Sequence, residues 1–236
     1  MTARALIVAG ARSGSGKTSV TLGLLSAFAA RGMAVRGVKS APDYIDTGFH
    51  PAATGRPGLN LDSWAMPPAL LRGLAAEAAD SELVLVEGAM GLFDGVACEP
   101  GRRGSAADLA ALFDMPVLLV LDVSGQSQTA AAIAHGFAGF DPSVRIAGVV
   151  LNRVGSDRHR RLVADAIEAL GIPVVGALAR DATPTLPERH LGLVQAEEHA
   201  GLDTYLAELR RVAEGSIDLD AVAAPARPFS IDAPAA

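Results

Sequence analysis

Short apolar runs alternate with longer amphipathic or alanine-rich stretches along almost the whole chain. Residues 5–9, 35–39, 83–86, 117–123, 146–151 and 174–178 are dominated by Val, Leu, Ile and Ala, with little polar alternation. Such runs predict strands covered on both faces. Residues 17–30, 67–79, 106–113, 129–137, 158–170 and 195–212 have the length and spacing of helices. This alternation predicts one doubly wound, mainly parallel α/β sheet with right-handed crossovers. In such a sheet ligands collect at the carboxyl ends of the strands. Residues just after each strand are therefore the candidates for chemistry.

Two stretches break the rhythm. Residues 41–66 are rich in Pro, Gly, Asp and Asn and too long for a simple connection, which predicts a binding loop. Residues 215–236 are Ala/Pro-rich and read as a linker or tail, leaving 1–214 as the folded domain.

Charge and composition narrow the function. The 236 residues carry 26 acidic and 20 basic side chains, a net charge of −6. An acidic chain without a basic run argues against general binding to nucleic acid or an anionic membrane. No apolar run has the length of a membrane span, and the apolar N-terminus leads into a glycine loop rather than a cleavage site. A single cysteine, Cys98, excludes an internal disulfide and a Cys-rich zinc site, and a cytoplasmic location is expected. Cys98 sits in an Arg/Gly-rich loop without the His pattern of a thiol nucleophile, and reads as structural. Arg102 and Arg103 in that loop read either as solvated charges or as a polyanion contact. Two of the 20 basic residues are lysines, Lys17 and Lys39, and each follows or ends one of the first two predicted strands.

The first strand runs into Gly10-Ala-Arg-Ser-Gly-Ser-Gly-Lys17-Thr18, a phosphate-binding loop between strand and helix. Backbone N–H groups there can curl around phosphate oxygens, the lysine can neutralise the β- and γ-phosphates, and the threonine hydroxyl can reach Mg²⁺. Arg12, Ser13, Gly14, Ser15, Gly16, Lys17, Thr18 and Ser19 form the candidate ATP site. The stricter motif has glycine where this chain has Ala11.

The next strand ends carry acids and amides. After the second come Lys39, Asp43, Asp46 and His50; after the third, Glu87 and Asp94; after the fourth, Asp122 and Ser124; after the fifth, Asn152 and Arg153. Magnesium with a nucleotide needs one or two carboxylates beside phosphate and water oxygens. Thr18, Asp46 and Glu87 are candidates for that role. Asp43 and Asp94 remain for a further metal or for orienting substrate, and Asp122 resembles either a Walker B-type acid or one that supports the direct ligands from behind. His50 and His190, taken singly, read as surface or packing residues.

These motifs carry a resemblance. Besides the phosphate loop they include Lys39-Ser-Ala-Pro-Asp-Tyr-Ile-Asp46 with Phe49-His50, the segment from Ala53 to Asp62, Glu87-Gly-Ala-Met-Gly-Leu-Phe-Asp-Gly95, Leu151-Asn-Arg-Val154 and Pro187-Glu-Arg-His-Leu-Gly-Leu-Val194. Together they resemble the N-terminal synthetase domain of the cobyrinic or hydrogenobyrinic acid a,c-diamide synthases, a P-loop fold of the dethiobiotin synthetase type. The resemblance implies ATP- and Mg²⁺-dependent amidation of the a and c carboxylates of a corrin through an acyl phosphate. It implies catalytic roles for Lys17, Lys39, Asp43, Asp46, Glu87 and Asp94, and metal binding by Thr18, Asp46 and Glu87. Asn152 would recognise adenine, with Arg153 beside it. Tyr44, His50, Met90, Gly91 and Ser124 would meet the corrin. The motifs do not choose between cobyrinate and hydrogenobyrinate.

Family members continue into a glutaminase domain that supplies ammonia. That partner domain is expected to be missing from this chain, which stops in the Ala/Pro-rich segment, and a homodimer is expected. Cobyric acid synthase shares the fold but lacks the Pro-Asp-Tyr-Ile-Asp and Met-Gly-Leu-Phe-Asp-Gly segments. A switch ATPase of the ParA/MinD kind would carry a lysine where this chain has Arg12.

Overall fold

The computed structural model of the chain describes residues 3–182, 188–189, 192–193, 196–198 and 201–230. Its elements run β1 (Arg4–Gly10), α1 (Lys17–Ala30), β2 (Val35–Ser40), α2 (Asp46–Thr54), β3 (Leu59–Leu61), α3 (Pro68–Glu77) and β4 (Leu83–Glu87). Then follow α4 (Ala106–Leu112), β5 (Val117–Asp122), α5 (Thr129–Phe140), β6 (Ile146–Val154), α6 (Asp157–Glu168) and β7 (Val174–Ala179). A short antiparallel hairpin of β8 (Glu188–Arg189) and β9 (Gly192–Leu193) precedes α7 (Leu202–Ser216), α8 (Leu219–Ala223) and β10 (Arg227–Pro228).

The main sheet has the order β3-β2-β4-β1-β5-β6-β7, with every neighbouring pair parallel. β10 adds an antiparallel pairing at the start of β1. The central strands are apolar on both faces because both faces are covered. Leu6, Val8, Leu83 and Leu85 pack under α1 and α7, while Ile7, Val84 and Val86 pack under α3 and α4. A third cluster joins β5 and β6 to α5 and α6. The α1 helix is apolar around most of its girth, as expected of a helix sandwiched between sheet and helix. The doubly wound, mainly parallel sheet is the architecture that the hydrophobic pattern predicts.

Three segments differ from the pattern. The irregular stretch 41–66 contains α2 and the edge strand β3, which pairs with β2. Its Pro/Gly content hides a helix that is started by Asp43 and pinned by buried Phe49 and His50. The closing helix is not continuous from Ala196. A 3-10 turn at Ala196–Glu198 is separated from α7 by Gly201, whose φ of 93° lies in the left-handed region. Gln195, Pro187 and His190 lie outside the described residues. Finally, the described part of the segment expected as a linker, residues 215–230, folds back onto the sheet. Ile217, Leu219, Val222 and Phe229 are buried, and Phe229 stacks on Phe113 with ring centres 5.0 Å apart.

Candidate active site

The phosphate loop joins β1 to α1, and its turns depend on glycine. Gly14 and Gly16 have φ of 71° and 95°. A Cβ on Gly16 would lie 2.1 Å from Nδ2 of Asn152. The missing side chain admits that amide, which donates to the Ser15 carbonyl at 2.9 Å. Ala11 has no positive φ, so its methyl group adds no left-handed strain. The Lys17 ammonium is almost buried and donates across the loop to the Arg12 carbonyl at 3.1 Å. Burial lowers its pKa below the ordinary lysine value, with Lys39 adding to the effect and Glu87 opposing it. An arriving polyphosphate would restore the balance of charge.

Beside the loop stands a buried ionic cluster whose geometry comes from strand register. Lys39 of β2 lies directly opposite Glu87 of β4, which lies opposite Val8 of β1. Neighbours at one rung point to the same face. The Lys39 ammonium donates to Glu87 Oε1 at 2.9 Å and to Asp46, and stands 3.8 Å from Asp43. The Thr18 hydroxyl donates to the same Glu87 oxygen at 2.6 Å. His50 Nε2 meets the other oxygen at 3.1 Å, and neither side chain has any exposure. Asp43 holds the start of α2 by accepting from the N–H groups of Ile45 and Asp46 at 2.8 and 3.0 Å.

The charges in this cluster are interdependent. Burial would raise the Glu87 pKa, but Lys39, His50 and Thr18 outweigh it and hold the carboxyl well below the ordinary glutamate range. Burial would lower Lys39, but Glu87 and Asp46 win and raise it. Asp46 is pushed up to about 6 by burial and by the Glu87 charge, against the pull of Lys39. Thr18, Asp46 and Glu87 offer oxygen donors of the kind a hard cation takes, and the Lys39 ammonium bridging the two carboxylates stands in for such a cation. The donor set fits Mg²⁺, which is held by one or two carboxylates and keeps several waters.

On the other side of the loop, Asp122 is fully subscribed. One oxygen accepts Arg12 at 2.8 Å and Arg153 at 2.5 Å; the other accepts the Ser124 hydroxyl at 2.7 Å and its N–H at 3.0 Å. Burial opposes its ionisation, but Ser124 and Arg153 keep its pKa lowered. Asp122 therefore anchors two guanidinium groups beside the loop. The acid in contact with the phosphate-loop threonine, as a Walker B-type residue would be, is Glu87. Asn152 accepts from the Arg153 N–H at 2.9 Å, and Arg153 has φ of 60°, a strained value for a side chain of its size.

The structure thus brings Lys17, Thr18, Lys39, Asp43, Asp46 and Glu87 together, with Arg12, Ser124, Asn152 and Arg153 on the β5–β6 side. Tyr44 and Met90 are exposed at the rim, 75% and 61% respectively. Asp94 is also at the rim and accepts the Gly91 N–H at 2.8 Å. His50 corrects an expectation: it lies beneath Glu87 and presents no surface to a substrate. The signal for its depth is Gly37, a glycine inside β2, where a Cβ would lie 2.5 Å from the His50 ring. Arg102 corrects another. It is partly buried and structural, because its guanidinium donates to the carbonyls of Trp64 and Met66 at 2.8 and 2.6 Å. Cys98 is exposed.

A phosphate loop on a doubly wound parallel sheet, facing acids at the neighbouring strand ends, defines a nucleotide-binding domain. Residues 6–194 match the CobQ/CobB/MinD/ParA nucleotide binding domain, and the chain belongs to that family. Within it, the chain is 65% identical over 231 residues to the hydrogenobyrinate a,c-diamide synthase of Mesorhizobium japonicum, covering 98% of this chain and 53% of that protein. It is 63% identical over 235 residues to that of Agrobacterium fabrum, covering 99% and 52%. The chain spans about half the length of the curated relatives it matches. Chloroplast FtsY from Physcomitrella patens shares the fold, with a TM-score of 0.53 at 19% identity, over 89% of this chain and 66% of that one. Cell division protein FtsY from Thermotoga maritima gives 0.52 at 20% identity, over 88% and 68%. Among the described residues no helix is long and apolar enough to cross a membrane.

Proposed function

We propose that this domain activates carboxylates for amidation, forming acyl phosphates from ATP on the a and c side chains of hydrogenobyrinic acid and letting ammonia displace the phosphate. One observation carries the reading. Lys17 and Lys39 converge with Thr18, Asp46 and Glu87 at the ends of β1, β2 and β4, in a chain 65% identical to a protein of that activity by name. Two ammonium groups beside a phosphate loop suit phosphoryl transfer, which depends on positioning and charge neutralisation more than on covalent chemistry by the protein.

The loop from Arg12 to Ser19 would bind the phosphates, with Asn152 and Arg153 toward the nucleoside. Thr18, Asp46 and Glu87 would hold Mg²⁺, which when bound neutralises phosphate charge. An oxygen of the substrate carboxylate attacks the γ-phosphorus; the bond from phosphorus to the bridging oxygen breaks, and ADP leaves. Lys17 and Lys39 offset the charge on the transferring group. Ammonia then attacks the acyl carbon, the carbon–oxygen bond to phosphate breaks, and loss of a proton leaves the amide. Asp43 and Asp94 are assigned to positioning the carboxylate and the ammonia. His50 is assigned to holding Glu87 rather than to the corrin. In this reading the ammonia comes from glutamine hydrolysed in a glutaminase domain outside the residues of this chain.

The test is incubation of the chain with ATP, Mg²⁺, ammonium and hydrogenobyrinic acid, followed by mass spectrometry. Each amide replaces OH by NH₂, so the mass shift counts the products, and two are expected. Lys17→Ala should lower the rate at least about a hundredfold, the scale of losing one preorganised charge contact in a transition state. Amidation without ATP, or near-normal turnover by Lys17→Ala, would refute the assignment.

A further inference from the structure

An open cavity of about 340 Å³ lies at the ends of β2 and β4, beside the ionic cluster. Its walls are largely carbon, contributed by Pro42, Trp64, Met90 and Val96. The last three are exposed at 56%, 61% and 47%. Contiguous uncovered apolar surface of this kind marks a binding groove more often than an accident of packing. Its charged lining residues are Asp62, Asp94 and Arg103. Arg103 is partly buried, and its charge reaches Asp141, yet it forms no ion pair among the described residues. An arginine that lines an apolar wall without an ion pair is suited to a carboxylate brought by a ligand.

The cavity is built into the site. Leu92 donates its N–H to the Gly10 carbonyl at 2.9 Å, so the segment carrying Met90 and Asp94 is tied to the phosphate loop. Arg102 fixes the opposite wall through the carbonyls of Trp64 and Met66. Two lining residues other than glycine, Ala41 and Met90, have φ of 76° and 48°. Such strain persists where surrounding structure imposes it and gathers at ligand clamps. Sheet order adds a direction. The cavity opens on the β2–β4 side of β1, whereas Asn152 and Arg153 lie on the β5–β6 side. A nucleotide reaching from the loop toward Asn152 leaves this side to the phosphoryl acceptor.

We propose that the cavity seats the acceptor by taking one apolar edge of a flat, many-carboxylate macrocycle, with Trp64 against the ring and Arg103 on a carboxylate that is not being activated. The proposal rests on the function given above and adds the residues that recognise the body of the substrate. It places Trp64 and Arg103 in substrate binding, outside the chemical steps.

Trp64 is the single tryptophan of the chain, so its fluorescence reports on the cavity directly. Titration with hydrogenobyrinic acid in the presence of MgADP, corrected for absorbance against free tryptophan, should quench it to saturation. Arg103→Met should weaken half-saturation about tenfold, the scale of one lost hydrogen bond to a charged group. The same variant should raise the KM for hydrogenobyrinic acid and leave the KM for ATP unchanged. Trp64→Ala should raise that KM too, and Trp64→Phe should restore most of it. Melting temperatures near the wild-type value would show that these variants fold. Wild-type KM values in folded Arg103→Met and Trp64→Ala, with amidation intact, overturn the cavity and leave the function standing. Absence of both quenching and amidation in the unaltered chain overturns the function and the cavity with it.

Discussion

Each oxygen of Glu87 has its own partners: Lys39 and Thr18 on Oε1, His50 on Oε2. The residue has no exposure, so every one of these contacts replaces water. His50→Ala should therefore cost about 1–3 kcal/mol of stability, the penalty for a buried acceptor losing its donor. His50→Gln, which can still donate, should recover most of that loss. Urea denaturation of the three proteins measures it; equal midpoints for wild type and His50→Ala would show that the Oε2 contact contributes nothing. Lys17, Lys39, Asp46 and Glu87 were legible in the sequence because each lies in the phosphate loop or at or just beyond the end of a predicted strand, where the fold collects ligands. For His50 the sequence left surface, packing and substrate contact open, and the structure selects packing. A histidine next to Pro51 and two residues after Gly48 carries no periodic signal of depth, and its seat is created by the absent side chain of Gly37 on another element.

Helices α1 and α7 form the thickest contact of the layer that covers this face of the sheet. They approach closely enough at Gly23 that an added Cβ would lie 2.9 Å from the Leu209 carbonyl oxygen and 3.2 Å from the Ala213 methyl group. Backbone cannot step aside as a side chain can, so Gly23→Ala should push α7 outward and destabilise the fold by about 1–3 kcal/mol, despite the higher helix propensity of alanine. A melting temperature at or above that of the wild type would mean that the helices adjust without cost. The helix and strand order was readable because uninterrupted apolar runs and 3.6-residue spacing are strong signals. Helix α2 was not readable, because Gly48 and Pro51 lie inside it. Its formation depends on the Asp43 contacts at its start and on Phe49 in the core, which are tertiary facts that a local pattern does not carry.

Across the whole molecule, the last described stretch completes the hydrophobic core. β10 pairs with the start of β1, and Phe229 closes the cluster that contains Phe113, Ile7 and Val84. Phe229→Ala should remove about 3–5 kcal/mol. The urea midpoint should fall without a change in slope, the sign of lost stability within an unchanged two-state fold. A midpoint equal to the wild type would mean that 217–229 rests on the domain without supporting it. Composition misled here, since alanine and proline describe a linker as readily as a chain that turns tightly and buries small side chains. The register of the sheet has a further consequence. Side chains alternate between faces, so slipping β2 by one residue against β4 would move Lys39 from beside Glu87 to the face occupied by Val38, Val84 and Val86. An unpaired ammonium in that layer would cost several kcal/mol. The charge proposed to serve phosphoryl transfer therefore also selects the correct pairing of the strands, and a misregistered sheet would be penalised by the same residue that it removes from the site.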